Sequence, residues 1–449
     1  MSINWIDPSR CNCATRSGVT SIAWTVPSPS VQWVNWSGSQ RATPTRFAQP
    51  RSRHELAELV ATAPGPLRVA GAGHSFSAGA VTDGTLLSLD ALARVLDVRG
   101  DRVRVEAGIR LKALSRELYA RGLAMPNLGD IDAQSLAGAL ATGTHGTGTK
   151  LPNLSGQVVE VELIDADGRE RTLRGGDELL AARVSLGALG VIAAVTVRCV
   201  PAFRLRHTDK PEPLEPVLEG LQARADGHDH FEFWTFPHAD VALTRTMDRT
   251  EDPPDKPGRA SAYVSDVVLD NHAFRAINEV AKRFPGTIPR LNRFASAVAS
   301  QRERVDWSHG SFASDRLVRF EEMEYSVPRE HAVAAVRAAR AALERHAVSF
   351  PIELRFTAGD DALLSPAHDR DSAFVAVHVF KGMPYEPAFR EVEAALGELE
   401  GRPHWGKRSF LDHTQLAPRY PRWDDFQRIR AQLDPGGRFA NAWVRDVLG

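Results

Sequence analysis

The sequence predicts an α+β fold of mixed sheets covered by helices, and three observations carry that expectation. Over residues 51–200, short runs with strand character alternate with stretches of helical periodicity. Two segments rich in glycine and small residues, Arg68-Val-Ala-Gly-Ala-Gly-His-Ser-Phe-Ser77 and a second over residues 126–148, each carry a histidine. Between about residue 203 and residue 402 the texture changes to longer helices, acidic loops and aromatic strands, which reads as a separate part.

Bulk properties narrow the function. A chain of 449 residues has room for two or three domains with substantial cores. Its 55 Lys and Arg against 56 Asp and Glu leave no global charge to recruit nucleic acid or an anionic membrane, so a small neutral molecule suits it better. The apolar run near residues 184–200 is interrupted by glycine and polar residues, and no membrane span is expected. Cys11, Cys13 and Cys199 are too few for a disulfide framework and lack zinc spacing, which favours a reducing cytoplasm. Residues 1–33, with Trp5, Trp24 and Trp33 among prolines and serines, lack a basic segment leading into an apolar core. They read as a flexible extension and not as a signal peptide.

In chain order, Leu56, Leu59 and Val60 recur at helical spacing over residues 51–62, and Pro64-Gly-Pro66 ends that helix. Val69 and Ala70 then close a strand. Strands follow over 86–89, 95–98 and 103–107, the last two joined by the Gly100-Asp101 turn, before a helix over 111–121. Further strands are expected over 158–164, 170–173 and 192–197. Later, an alanine-rich helix over 330–346 puts Val333, Val336 and Leu343 on one side. Strands over 350–356 and 374–380 follow, and residues 251–258 read as an exposed loop.

Gly71 and Gly73 can adopt positive φ and let the backbone approach a ligand, so the turn after Ala70 can aim several N–H groups at one point, as a pyrophosphate requires. His74 would stand beside that ligand as a base or nucleophile. An ordinary glycine turn is the competing reading. A Rossmann fingerprint fails because Phe76 occupies the place of its third glycine.

The second segment is Pro126-Asn-Leu-Gly-Asp-Ile-Asp-Ala-Gln-Ser-Leu-Ala-Gly-Ala-Leu-Ala-Thr-Gly-Thr-His-Gly-Thr-Gly148. Together with Ser185-Leu-Gly-Ala-Leu-Gly-Val191, Glu353-Leu-Arg355, Arg402-Pro-His-Trp-Gly-Lys407 and Asp434-Pro-Gly-Gly-Arg-Phe-Ala-Asn441, the two segments resemble the FAD-linked sugar-lactone and alditol oxidase branch of the vanillyl-alcohol oxidase (PCMH) superfamily, over roughly residues 34–449. The resemblance implies an FAD-binding domain over 34–202, an inserted α+β substrate cap over 203–401, and a segment, 402–449, that returns to the flavin. It implies cofactor contacts from Ala70, Gly71, Ala72, Gly73, His74, Ser75 and Phe76, then Asp130, Ser135, Gly138, Thr142, Gly143 and His145, and finally Val191 and His404. It also implies FAD joined covalently to His74.

Glu353 and Arg355 alternate on one strand and so share a face, where a carboxylate and a guanidinium suit sugar hydroxyls, although a surface ion pair is the competing reading. The resemblance makes them substrate residues with Asp130 and Lys407, and Lys407 would stabilise negative charge on substrate oxygen or reduced flavin. Glu353 and His378 are both candidates for accepting the substrate proton, and a buried core histidine remains open for His378. Asp130 and Phe380 depart from the polyol-oxidising pattern and favour an L-gulono- or D-arabinono-1,4-lactone over a linear polyol. Gly129, expected beside the flavin, would leave room for O2 and favours an oxidase releasing hydrogen peroxide over a dehydrogenase using a dye or cytochrome acceptor. His228 and His230 lack a matching ligand cluster, so no metal is expected. The contrasting readings are an enzyme for another alcohol and a flavin-binding protein without turnover.

Overall fold

The structure, a computed structural model, describes residues 32–255, 272–314 and 316–449. Trp5, Trp24, Cys11, Cys13 and residues 256–258 of the expected loop lie outside the described residues. Trp33 does not belong to a loose extension. It forms the strand Trp33–Val34 against Arg41–Ala42 and is 3% exposed, because its indole has a hydrophobic cluster with Ala70 and Leu86 to cover.

Two sheets form the first part. Arg46–Ala48, Thr85–Ser88 and Leu67–Ala70 make a parallel trio, with Thr85–Ser88 in the middle. Glu170–Leu173, Val158–Ile164, Val191–Arg198, Arg102–Glu106 and Val95–Arg99 make an antiparallel five, in that spatial order. The helix Arg53–Thr62 packs Leu56, Leu59 and Val60 onto the core between them, with the Ser52 side chain accepting from the Glu55 amide as its N-cap.

The central part is one antiparallel sheet of eight strands, from Arg302–Trp307 at one edge to Arg402–Pro403 at the other. Its middle is built from His230–Thr235, Ile352–Thr357, Ser372–Phe380 and Phe320–Pro328. Period-two alternation sorts these strands into two faces. Ile352, Leu354, Phe356, Val375, Val377, Met323, Tyr325 and Val327 enter an apolar core with the helices Ala332–Leu343 and Glu386–Gly397. In the Ala332–Leu343 helix the packing side is Ala332, Ala335, Val336, Ala339 and Leu343, and Val333 lies at its margin, half-buried. Glu353, Arg355, His378, Glu322 and Glu324 take the opposite face, and they are buried too.

The C-terminal segment ties the parts together. Arg402–Pro403 pairs with Tyr325 and Ser326, Phe439 enters the core of the parallel trio, and Asn441 Nδ2 donates to the carbonyls of Ala78 and Val81.

Candidate active site

A cleft enclosing about 1140 Å³, including its open mouth, runs along Leu67–Ala70 and past the C-terminal end of Thr85–Ser88. Ala70, Gly71, Ala72, Gly73, His74 and Ser75 form one wall, Ser135, Gly138 and Thr142 another, and Gly190 and Val191 a third. Glycine is required where these walls touch: a Cβ on Gly71 would lie 2.3 Å from Ser135 Oγ, and Gly73 has φ +70°. Beneath the wall sits Arg68, fully buried, donating to the carbonyl oxygens of Gly79, Leu186, Gly187 and Phe439 at 2.5–3.0 Å. Burial without a bonded carboxylate pulls this guanidinium down to about 10.

FAD fits this cleft on two observations. The glycine turn lines the cleft continuously from Ala70 to Ser75, and His74 Nδ1 is a buried ring nitrogen with no hydrogen-bond partner in the protein. Burial, reinforced by the Arg110 and Lys407 charges, lowers His74 to about 4, so its ring is neutral at pH 7. Lys407 Nζ itself lies 5.4 Å from the centre of the Phe76 ring, two residues along the chain from His74.

The cleft lining does not include Phe76, Asp130, Gly143, His145 or His404. Phe76 turns into the apolar contact with Trp36 and Phe320, while its amide donates to Gly406 O at 2.7 Å. Gly143 has φ +72° and faces Pro366 and Val184. His145 and His404 flank Glu324, with His145 Nε2 3.2 Å from its carboxylate, and these three are the only side-chain cluster of metal-binding type among the described residues. Burial lowers His404 to about 3. His228 bonds Asp248, and His230 is buried against the Thr147 carbonyl.

The buried charged face of the central sheet contacts the second glycine-rich segment through Arg355 with Asp130 and Glu324 with His145, and Glu353, Arg355, His378 and Lys407 do not line the cleft either. Register places Glu353, Ala376 and Glu324 in one row across three strands, with Arg355 and Phe374 on one side and His378 and Glu322 on the other. The small Ala376 leaves a notch between two carboxylates. The Arg355 guanidinium pairs with Glu353 Oε1 without the alignment of a hydrogen bond, so this buried oxygen has an ionic partner but no hydrogen-bond donor in the protein. Arg355 also donates through Nε to Glu232 at 2.8 Å and lies 3.5 Å from Asp130 Oδ1. Asp130 is further held by Arg316. Lys407 Nζ lies 2.5 Å from Glu322 Oε2. His378 bridges Glu322 and the Pro351 carbonyl, so both its ring nitrogens are engaged.

These environments separate the carboxylates. Burial would raise Asp130, but Arg316, Arg355 and Arg245 outweigh it and hold the acid well below its ordinary range. Glu322 is likewise held down, by Lys407 and His378 against burial. For Glu353 burial wins, with Asp130 and Glu232 adding to it, so its carboxyl is raised despite Arg355. Glu353 is the one among the three that is tuned to accept a proton.

Four charged partners, Glu232, Arg316, Glu322 and Glu324, were not singled out in the sequence. Gly129, expected to leave space for oxygen, instead packs against protein: a Cβ there would lie 3.1 Å from His145 O and 3.2 Å from Thr144 Cγ2.

A buried acid–base pair beside a cleft fitted to FAD defines the class, a flavin-linked oxidoreductase acting on CH–OH donors. Residues 195–447 match the D-arabinono-1,4-lactone oxidase family and residues 44–174 the FAD binding domain family, and the chain belongs to the sugar-lactone and alditol oxidase branch that the first of these describes. L-gulono-1,4-lactone dehydrogenase of Mycobacterium tuberculosis is 44% identical over 424 residues, covering 93% of this chain and 99% of that protein. L-gulonolactone oxidase of Mus musculus is 33% identical over 435 residues (93% and 98%), and alditol oxidase of a Streptomyces species 35% over 428 (92% and 98%). The crystal structure of cholesterol oxidase from B. sterolicum superposes with a TM-score of 0.77 at 17% identity, covering 94% of this chain and 99% of that one, a likeness of fold alone.

Proposed function

We propose that this protein oxidises an aldono-1,4-lactone of the L-gulono or D-arabinono type, with FAD joined to His74 and with O2 as acceptor, releasing hydrogen peroxide. The observation that carries the reading is the buried Glu353 and Arg355 pair, with Asp130 held to Arg355 and Lys407 held to Glu322 on the same buried sheet face. Three of the similar proteins are named for lactone or polyol substrates, and the neutral, unpartnered His74 Nδ1 supports the covalent link. Residues 34–202 then serve as the FAD-binding domain, 203–401 as the cap and 402–449 as the returning segment. The low cysteine content supports a cytoplasmic location, and no helix among the described residues is long and apolar enough to cross a membrane.

FAD, when bound, supplies the hydride acceptor. Glu353 takes the proton of the substrate hydroxyl, the role its raised carboxyl suits. Arg355 fixes the hydroxyls through its donors, and Lys407, tethered by Glu322, stabilises negative charge developing on the substrate oxygen. Asp130 stays ionised under Arg316 and Arg355 and accepts a further hydroxyl. Burial on both sheet faces excludes water from this proton transfer.

A dehydrogenase using a cytochrome or dye acceptor is favoured by two findings. The glycine expected to admit oxygen packs against Thr144 and His145, and the mycobacterial relative is named a dehydrogenase. Anaerobic addition of L-gulono-1,4-lactone or D-arabinono-1,4-lactone should bleach the flavin band, and air should restore it within seconds for an oxidase. Bleaching by xylitol alone would move the substrate to polyols, and recovery only with cytochrome would assign the dehydrogenase.

A further inference from the structure

Far from any role in the cleft, the helices Phe274–Arg283 and Ile288–Ala297 carry an apolar ridge on their outer side. Val280 and Phe284 stand four residues apart, and Phe294 and Val298 repeat that spacing, so each pair lines up along one side. They are 46%, 59%, 58% and 59% exposed, and they are four of the seven exposed large hydrophobic side chains among the described residues. Such clustering marks a contact surface, not scattered surface apolarity.

The helices themselves are firmly seated. Asn292 Nδ2 donates to the carbonyls of Pro237 and Val348 at 3.1 Å, and Asn278 accepts from Ser349 at 2.6 Å, all on the inner side. The outward ridge is therefore a property of a fixed element.

Charge completes the pattern. Arg275, Lys282, Arg283, Arg290 and Arg293 surround the ridge, and Glu279 is the single acid on the two helices. Surface arginines elsewhere are commonly engaged by carboxylates, as with Arg206, Arg337, Arg390 and Arg428. Among the described residues Arg275, Arg283, Arg290 and Arg293 enter no ion pair. In a chain of net charge −1, this is a local positive surface around apolar side chains.

We propose that this face docks on an anionic phospholipid bilayer, with Phe284, Phe294, Val280 and Val298 at the boundary between headgroups and acyl chains and the arginines on lipid phosphates. Ten-residue helices reach only about 15 Å, so the contact lies in the membrane plane and does not span it. A second copy is a poorer occupant, because a two-fold contact would set one basic ring against its own image.

The test is co-sedimentation of the full-length holoprotein with vesicles of phosphatidylglycerol and phosphatidylcholine at about 3:7, against phosphatidylcholine alone, at low and high salt. Binding to the anionic vesicles at low salt and release at high salt are expected. Arg290→Gln with Arg293→Gln should weaken partitioning by roughly 25-fold, about fivefold for each charge. Phe284→Ser with Phe294→Ser should abolish it while the flavin spectrum and turnover stay unchanged. No partitioning onto anionic vesicles, or undiminished partitioning of both double variants, would overturn the proposal. A dimer seen by light scattering in the parent and lost in the phenylalanine variant would also overturn it, assigning the face to a second copy.

Discussion

Glu322 holds Lys407: its Oε2 lies 2.5 Å from the ammonium nitrogen, and its other oxygen lies 3.4 Å from His378 Nε2. The lysine assigned to substrate charge, in the bend after Arg402–Pro403, is thus aimed by a buried carboxylate on the strand Phe320–Pro328. Replacing Glu322 with Gln keeps the shape and removes the anion. A hydrogen bond to a charged group is worth about 1.5–3 kcal/mol, so kcat should fall by roughly 10- to 100-fold with KM little changed. Glu322→Asp should recover part of the loss, which a merely structural role would not predict. Steady-state kinetics on each variant measures the split.

The raised Glu353 carboxyl sets a pH dependence. A group that must accept a proton is idle once protonated, so kcat/KM should fall as pH decreases through the Glu353 value. Because burial raises that value, the acid limb should lie above the ordinary glutamate value of 4.5. In Glu353→Gln the limb should vanish along with most of the activity. A pH profile of both proteins reads this directly.

Arg68 staples three chain segments under the cleft through four carbonyl oxygens. Met at this position would leave those carbonyls buried and unpaired, at a cost of about 3 kcal/mol or more. Urea unfolding should show that loss, and in the His74→Ala background, where only noncovalent contacts hold the flavin, the same change should let it leave more readily.

Two glycines with positive φ should respond differently to alanine. A Cβ on Gly190, at φ +148°, would stand 2.5 Å from the Ile164 carbonyl oxygen, whereas Gly100, at φ +61°, faces open space. Gly100→Ala should cost about 1 kcal/mol from backbone strain alone, and Gly190→Ala about 3 kcal/mol or more through strain and collision. Thermal melts of the two variants separate the effects.

His74 Nδ1 is buried without a partner and its ring is neutral. The flavin should therefore stay with acid-precipitated parent protein and dissociate from His74→Ala, as followed by absorbance of the pellet and supernatant.

Much of this arrangement was legible in the sequence, and the reason is locality. The cradle was readable because its glycines and His74 sit within a few residues of one another, and Glu353 and Arg355 because two residues on one strand share a face. Glu322 and Glu324 were missed although Phe320–Pro328 alternates Met323, Tyr325 and Val327 with them. That pattern describes a half-buried strand with acids facing water, and only the packing of distant segments buries its second face. The Arg316 contact with Asp130 spans 186 residues, a pairing that no local spacing encodes. Trp33 was set apart with the tryptophan-rich residues before it, although its partner strand lies only eight residues away.

The most direct test of the account is the rate at which L-gulono-1,4-lactone or D-arabinono-1,4-lactone bleaches the flavin anaerobically in stopped flow, compared between the parent protein and Glu353→Gln. The account predicts rapid bleaching of the parent and a rate at least about 100-fold lower in the variant, with flavin content unchanged. Equal rates in the two proteins, or a parent that neither lactone bleaches, would contradict it.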